Sequence, residues 1–193
     1  MQKRVLAFDP AMGVTGWSVM DADDSTGFKD CVVFKFGSIK PASTVSKVLY
    51  SDKVNTFGKS TVSLNYLQEQ VCLLIDEFKP DFIAIEDTYL DPRRPTAYAS
   101  LLQWICAVKL VCLQRYNMPI FLVASKVAKQ SVTGHGGSTK VSIQESLLDR
   151  SDVKFKQKKQ SDMLSEHEAD SIAVGFHFLT NILPSMIVMS IVK

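Results

Sequence analysis

Val5-Leu6-Ala7-Phe8-Asp9-Pro10-Ala11-Met12-Gly13-Val14-Thr15-Gly16-Trp17-Ser18-Val19-Met20 is the stretch on which the fold turns. Its apolar run 5–8 is closed by Asp9-Pro10, as a buried strand closes when proline restrains its predecessor and withholds an N–H. Gly13 and Gly16 then permit a tight turn, and residues 16–20 read as a second strand. Residues 31–39 read as a third, with the polar stretch 21–26 as the hairpin loop between them. The simplest arrangement is an antiparallel meander of three strands.

Outward from this meander, Leu64, Leu67, Val71, Leu74 and Phe78 recur at helical spacing and predict a helix from Thr61 that lays one face on the sheet and ends before Pro80. Phe82-Ile83-Ala84-Ile85 reads as a central strand buried on both faces, ending at Glu86. Residues 96–116 form a long helix that is apolar nearly all round. One sheet cannot cover every side of it, so the remainder packs on another helix or a second subunit. Ile120-Phe121-Leu122-Val123 is the fifth strand. Helices over 126–132 and 139–148 follow, separated by Gly134-His135-Gly136-Gly137, and residues 153–160 read as a mobile basic loop. The last helix starts near Ser165, where Ser165-Glu166-His167-Glu168 matches a capping box, and runs through Leu179. Pro184 separates it from the apolar run 187–192, which is expected to pack on the domain surface or on a second subunit. The expectation is one domain, residues 1–193, of α/β class, with a central mixed five-stranded sheet and helices on both faces.

With 193 residues and 46% hydrophobic content, the chain can bury a substantial core, which excludes a disordered tail protein. Cys31, Cys72, Cys106 and Cys112 lack metal-finger spacing and read as reduced, buried residues of an intracellular protein. The N-terminal run is too brief and wrongly flanked for a signal peptide, and the C-terminal run is shorter than the roughly 20 residues a membrane helix needs. The expectation is a soluble cytoplasmic protein, in a bacterial cell or a virus-infected host cell, with no membrane partner. Net charge is only +2, so binding to nucleic acid depends on where the charge lies. Between Ser125 and Gln160 it is concentrated: Lys126, Lys129, Lys140, Arg150, Lys154, Lys156, Lys158 and Lys159 stand against Glu145, Asp149 and Asp152.

Asp9 and Glu86 end two apolar strands that a sheet can set side by side. Like carboxylates in such a place repel, and a divalent cation neutralises them. Hard oxygen ligands suit magnesium or manganese. His167 and Asp170 are three residues apart and share a face at the start of the last helix, where both can point at the same site. Glu166 and Glu168 fall on other faces and serve the helix dipole and cap. Phosphodiester hydrolysis by two metals accounts for such a set. One ion activates water and the other stabilises the leaving oxygen, with carboxylates holding them roughly 4 Å apart. Lys140, after a glycine-rich turn, is the candidate for stabilising charge on the scissile phosphate. His135 and His177 carry no assignment.

Four motifs, in order, span nearly the whole chain: Phe8-Asp9-Pro10-Ala11-Met12-Gly13-Val14-Thr15-Gly16-Trp17; Ile83-Ala84-Ile85-Glu86-Asp87-Thr88-Tyr89; Lys126-Val127-Ala128-Lys129-Gln130-Ser131-Val132-Thr133-Gly134-His135-Gly136 with Lys140; and His167-Glu168-Ala169-Asp170-Ser171-Ile172-Ala173. The ordered set resembles RuvC-type Holliday junction resolvases of the ribonuclease H-like superfamily. The resemblance implies a ribonuclease H-like fold and a homodimer that binds a four-way DNA junction in recombination and repair, nicking two opposed strands symmetrically. It implies two magnesium ions per site, with manganese able to substitute. Asp9 would bridge them, Glu86 and Asp170 would be further ligands, and His167 would replace a carboxylate that many members carry. Lys126 and Lys129 would contact DNA, Lys140 would act close to the cleaved phosphate, and Tyr89 would stack at the junction centre. The chain departs from the family in having Ala11 where glycine is usual, and residues 51–59 have no assigned counterpart. The competing enzyme reading is a ribonuclease H-like nuclease that cuts flaps, other branched DNA or RNA–DNA hybrids. The long apolar helix and Tyr89 favour the junction.

Overall fold

The structure, a computed structural model, describes residues 1–88, 90, 92–93, 95–156 and 164–191, with only the backbone of 190 and 191. Tyr89 and residues 157–160 of the expected basic loop therefore lie outside the described residues.

The expected meander is present. β1 (Gln2–Asp9) pairs antiparallel with β2 (Thr15–Asp23), and β2 with β3 (Cys31–Ile39). β4 (Phe82–Asp87) lies parallel to β1 on its other side, and β5 (Ile120–Ala124) parallel to β4. Val153–Phe155, expected in a loop, instead forms β6, parallel to residues 31–33, so the sheet has six strands in the order β5-β4-β1-β2-β3-β6. The cause is a period-two pattern. Val153 is buried and Phe155 packs edge-on to Phe36 at 6.2 Å, while Lys156 lies over the ring of Phe34 at 4.6 Å.

Each strand sends alternate residues to opposite cores. Leu6 and Phe8 join a core covered by α3 (Lys59–Phe78) and α4 (Pro95–Val111). Val5 and Ala7 join a second core covered by α5 (Ser125–Thr133), α6 (Lys140–Asp149) and α7 (Glu166–His177). Two short helices, α1 (Pro41–Thr44) and α2 (Ser51–Phe57), fill the stretch between β3 and α3. Gly58, at φ 81°, makes the break between α2 and α3 in a backbone region that suits glycine.

Two other expectations are corrected. Pro184 does not interrupt the chain: a π-helical turn over Phe178–Ile182 leads from α7 directly into α8 (Leu183–Ile191), reorganising the hydrogen-bond ladder where proline withholds a donor. Cys106 is exposed on α4, whereas the other three cysteines are buried. By length and composition, Pro95–Tyr116 and Glu166–Met189 are long and apolar enough to cross a membrane. Both lie against the sheet, where Trp104, Ile105 and Val108 of the first, and Ile172, Ala173 and Phe176 of the second, are core residues.

Candidate active site

Asp9 is the last residue of β1 and Glu86 the last but one of the adjacent parallel strand β4, which sets them at one end of the sheet. Asp9 points to the α7 side. It is nearly buried, and its Oδ2 accepts a 2.6 Å hydrogen bond from His167 Nδ1. The sequence starts α7 at this point through a reciprocal cap: Ser165 Oγ accepts from the Glu168 amide and Glu168 Oε2 accepts from the Ser165 amide at 2.9 Å.

Gly16 sets the approach of α7 to the sheet. A Cβ there would sit 1.9 Å from the carbonyl oxygen of His167, so only glycine lets the first turn of α7 press against β2 beside Asp9. The role differs from the expected one: Gly16 does not have positive φ, and its value lies in close approach. Ala11, in turn, is accommodated without positive φ where the family usually has glycine. The turn after Asp9 is tied by Thr15, whose hydroxyl donates to the Ala11 carbonyl at 2.7 Å and accepts from the buried indole of Trp104 at 2.9 Å.

The electrostatics are those of a cluster of like charges. Burial, then the fields of Asp9 and Asp170, push the Glu86 carboxyl up to about 8, and burial and Asp9 push Asp170 up to about 6. Lys129, half-buried on α5, pulls both back toward the ionised form. The hydrogen bond to Asp9 raises the pKa of His167 against the effect of its burial. The structure thus brings Asp9, Glu86, His167, Asp170 and Lys129 together. Lys140 reaches the rim, where its ammonium meets Glu166 Oε2 at 2.5 Å. Each holds the other in its charged form. Lys126 lies exposed at the start of α5, and Tyr89 is outside the described residues. His177 is remote: at the other end of α7, its Nδ1 is 2.6 Å from Ser131 Oγ, which ties α7 to α5.

Sequence reasoning missed two participants. Glu166, assigned to the helix dipole, is the partner of Lys140, and its Oε1 is 3.6 Å from His167 Nε2. Thr15 anchors the turn after Asp9. The Lys140–Glu166 pair is 26 residues apart in sequence and has no local signal. Thr15 stood inside a quoted motif, but its partner Trp104 comes from a distant helix.

Among the described residues, no three His, Cys, Asp or Glu side chains are drawn close enough to enclose an ion. The donor chemistry nevertheless fits a hard divalent cation: three carboxylates, two of them pushed toward the protonated form by burial and mutual repulsion, with an imidazole bonded to an oxygen of the third.

The fold is of the ribonuclease H-like class. Residues 25–178 match the model of the family described as crossover junction endodeoxyribonuclease RuvC, and the chain belongs to that family of metal-dependent nucleases. It is 28% identical over 182 residues to the RuvC of Caldicellulosiruptor saccharolyticus, covering 92% of this chain and 93% of that one. It is 27% identical over 172 residues to the protein of the same name from Petrotoga mobilis, covering 89% and 90%. Among solved structures it resembles Thermus thermophilus RuvC in complex with Holliday junction substrate, with a TM-score of 0.69 at 16% identity and 96% of both chains covered. The yeast mitochondrial Holliday junction resolvase aligns with a TM-score of 0.60 at 13% identity, covering 92% of this chain and 78% of that one.

Proposed function

We propose that residues 1–193 act as one nuclease domain that resolves four-way DNA junctions by hydrolysing two opposed phosphodiester bonds, in the cytoplasm of a bacterial cell or an infected host cell. The observation that carries this reading is the convergence of Asp9, Glu86, Asp170 and His167 at one end of the sheet, with Lys129 and Lys140 beside them. Asp9, Glu86, Asp170 and His167 would hold two magnesium ions, for which manganese could substitute. When bound, these ions supply an activated water and charge stabilisation for the leaving oxygen.

The protein's own groups do the rest. To hold an ion, Glu86 and Asp170 would have to give up the protons that burial favours, so binding would strengthen as pH rises through about 6 and 8. His167, held on Asp9, keeps that oxygen oriented. Lys140, protonated against Glu166, is presented to a phosphate, while Lys126 and Lys129 offer charge to the backbone and Tyr89 a ring for stacking. A homodimer is supported by α4, on which Leu102, Cys106 and Leu110 are exposed four residues apart and Leu113 extends the stripe.

The test is cleavage of a mobile four-way junction with magnesium, with manganese and with chelator, beside linear duplex, a flap and an RNA–DNA hybrid. Paired symmetric nicks confined to the junction are expected, falling to the chelator background in Asp9→Asn. Equal cutting of the other substrates would discard junction selectivity, and undiminished cutting by Asp9→Asn would discard the site.

A further inference from the structure

Residues 40–59 are not used by the catalytic reading. Topology places them at the catalytic end of the sheet. Asp9 pairs with Gly16, Gly16 with Ser38 and Thr15 with Ile39, so β3 delivers the chain to that end, and α3 carries it back to the opposite end, where β4 begins. With strands about 4.8 Å apart, Ser38 stands roughly 10 Å from Asp9, well inside the roughly 34 Å of one duplex turn.

The segment is ordered from below. Pro41 and Val45 are buried, Val45 N–H bonds the Pro41 carbonyl, Tyr50 N–H bonds the Lys47 carbonyl, and the Tyr50 ring meets Tyr66 edge-on at 6.1 Å. On this base, Val48 and Leu49 are 89% and 86% exposed. In the same segment Lys40, Lys47, Lys53 and Lys59 are exposed against a single acid, Asp52, and none of the four makes an ion pair among the described residues. An exposed apolar tip on a segment that also carries exposed cations matches a polyanion that can also offer an apolar face, and stacked bases between phosphates have that chemistry.

We propose that residues 40–59 are a second DNA-contacting element, in which the lysines ride on the phosphates of a junction arm and Val48-Leu49 wedges against a base step near the cleaved strand. This rests on the junction-cutting reading. It is tested in the full-length protein with two variants of exposed residues, Val48→Ser/Leu49→Ser and Lys40→Gln/Lys47→Gln/Lys53→Gln, using anisotropy of a labelled four-way junction in chelator across a salt series. The lysine variant is expected to flatten the dependence of log affinity on log salt by about 2.7, at about 0.9 for each phosphate it no longer neutralises. The serine variant is expected to bind about tenfold more weakly at unchanged slope, and to lose the fluorescence rise of a 2-aminopurine placed beside the branch. Both should melt as the parent does and cut a saturated junction at the parental single-turnover rate.

Parental affinity and slope in both variants would overturn the proposal. So would a serine variant whose only change is in self-association or in flotation with phosphatidylglycerol vesicles, since the tip would then belong to another copy or to a membrane. Failure of the parent to cut the junction in magnesium would refute the junction-cutting reading instead, and leaves the binding comparison readable.

Discussion

The two ends of the sheet handle charge in opposite ways. At the end where β1 begins, the acids around Arg4 have opposite partners. Asp21 takes both arms of the Arg4 guanidinium at 2.6 and 2.8 Å, Asp81 accepts from the Arg4 amide and from Lys3, and Lys35 pairs with Glu77 at 3.0 Å. At the end where β1 finishes, Asp9, Glu86 and Asp170 face one another, and two of them are pushed far above the ordinary carboxylate range. One end satisfies its charges within the chain. The other gathers like charges that His167 and Lys129 offset only in part, an imbalance common at functional sites.

The contrast is sharpened most by Arg4→Ala. It strips the partner from Asp21, which is nearly fully buried, and the expected cost is about 3 kcal/mol in urea unfolding. Glu86→Gln should act in the opposite direction. A carboxyl whose folded pKa is raised binds its proton more tightly in the folded state, so its contribution to metal-free stability is greatest at acid pH and falls as pH rises from the ordinary Glu value through about 8. His167, also raised, adds to the same downward trend. Removing the Glu86 charge should therefore raise the melting temperature in chelator by about 3 °C or more at pH 8, with little change at pH 5. A variant that melts lower at both values would break the contrast. Least affected should be Lys35→Ala, an exposed pair whose loss is expected to stay within about 0.5 kcal/mol.

Much of this was legible in residue pattern. The runs ending at Asp9 and Glu86 read as strands because both are buried on two faces, and the spacing of His167 and Asp170 placed them on one helical turn. The strand 153–155 was lost because three residues of Val-Lys-Phe give too short an alternation to stand out from a basic tract. Gly16 read as a turn glycine because the carbonyl that it must avoid comes from a helix about 150 residues downstream. Asp9 and His167 were placed at one site, yet their direct hydrogen bond depends on how far α7 is pressed onto β2, which no local spacing records. The far-end ion pairs were equally invisible: Arg4 meets Asp21 only through the register of the first hairpin.

Trp104 gives the turn after Asp9 a mechanical dependence. Its side chain is fully enclosed, its single N–H has Thr15 as acceptor, and Thr15 in turn holds Ala11, two residues beyond Asp9. An axial slip of α4 by even an ångström would either orphan a buried donor or drag the turn along, and the second is cheaper. The helix whose outer face carries Leu102, Cys106 and Leu110 is thus tied, through one buried indole N–H and one hydroxyl, to the turn that leaves Asp9.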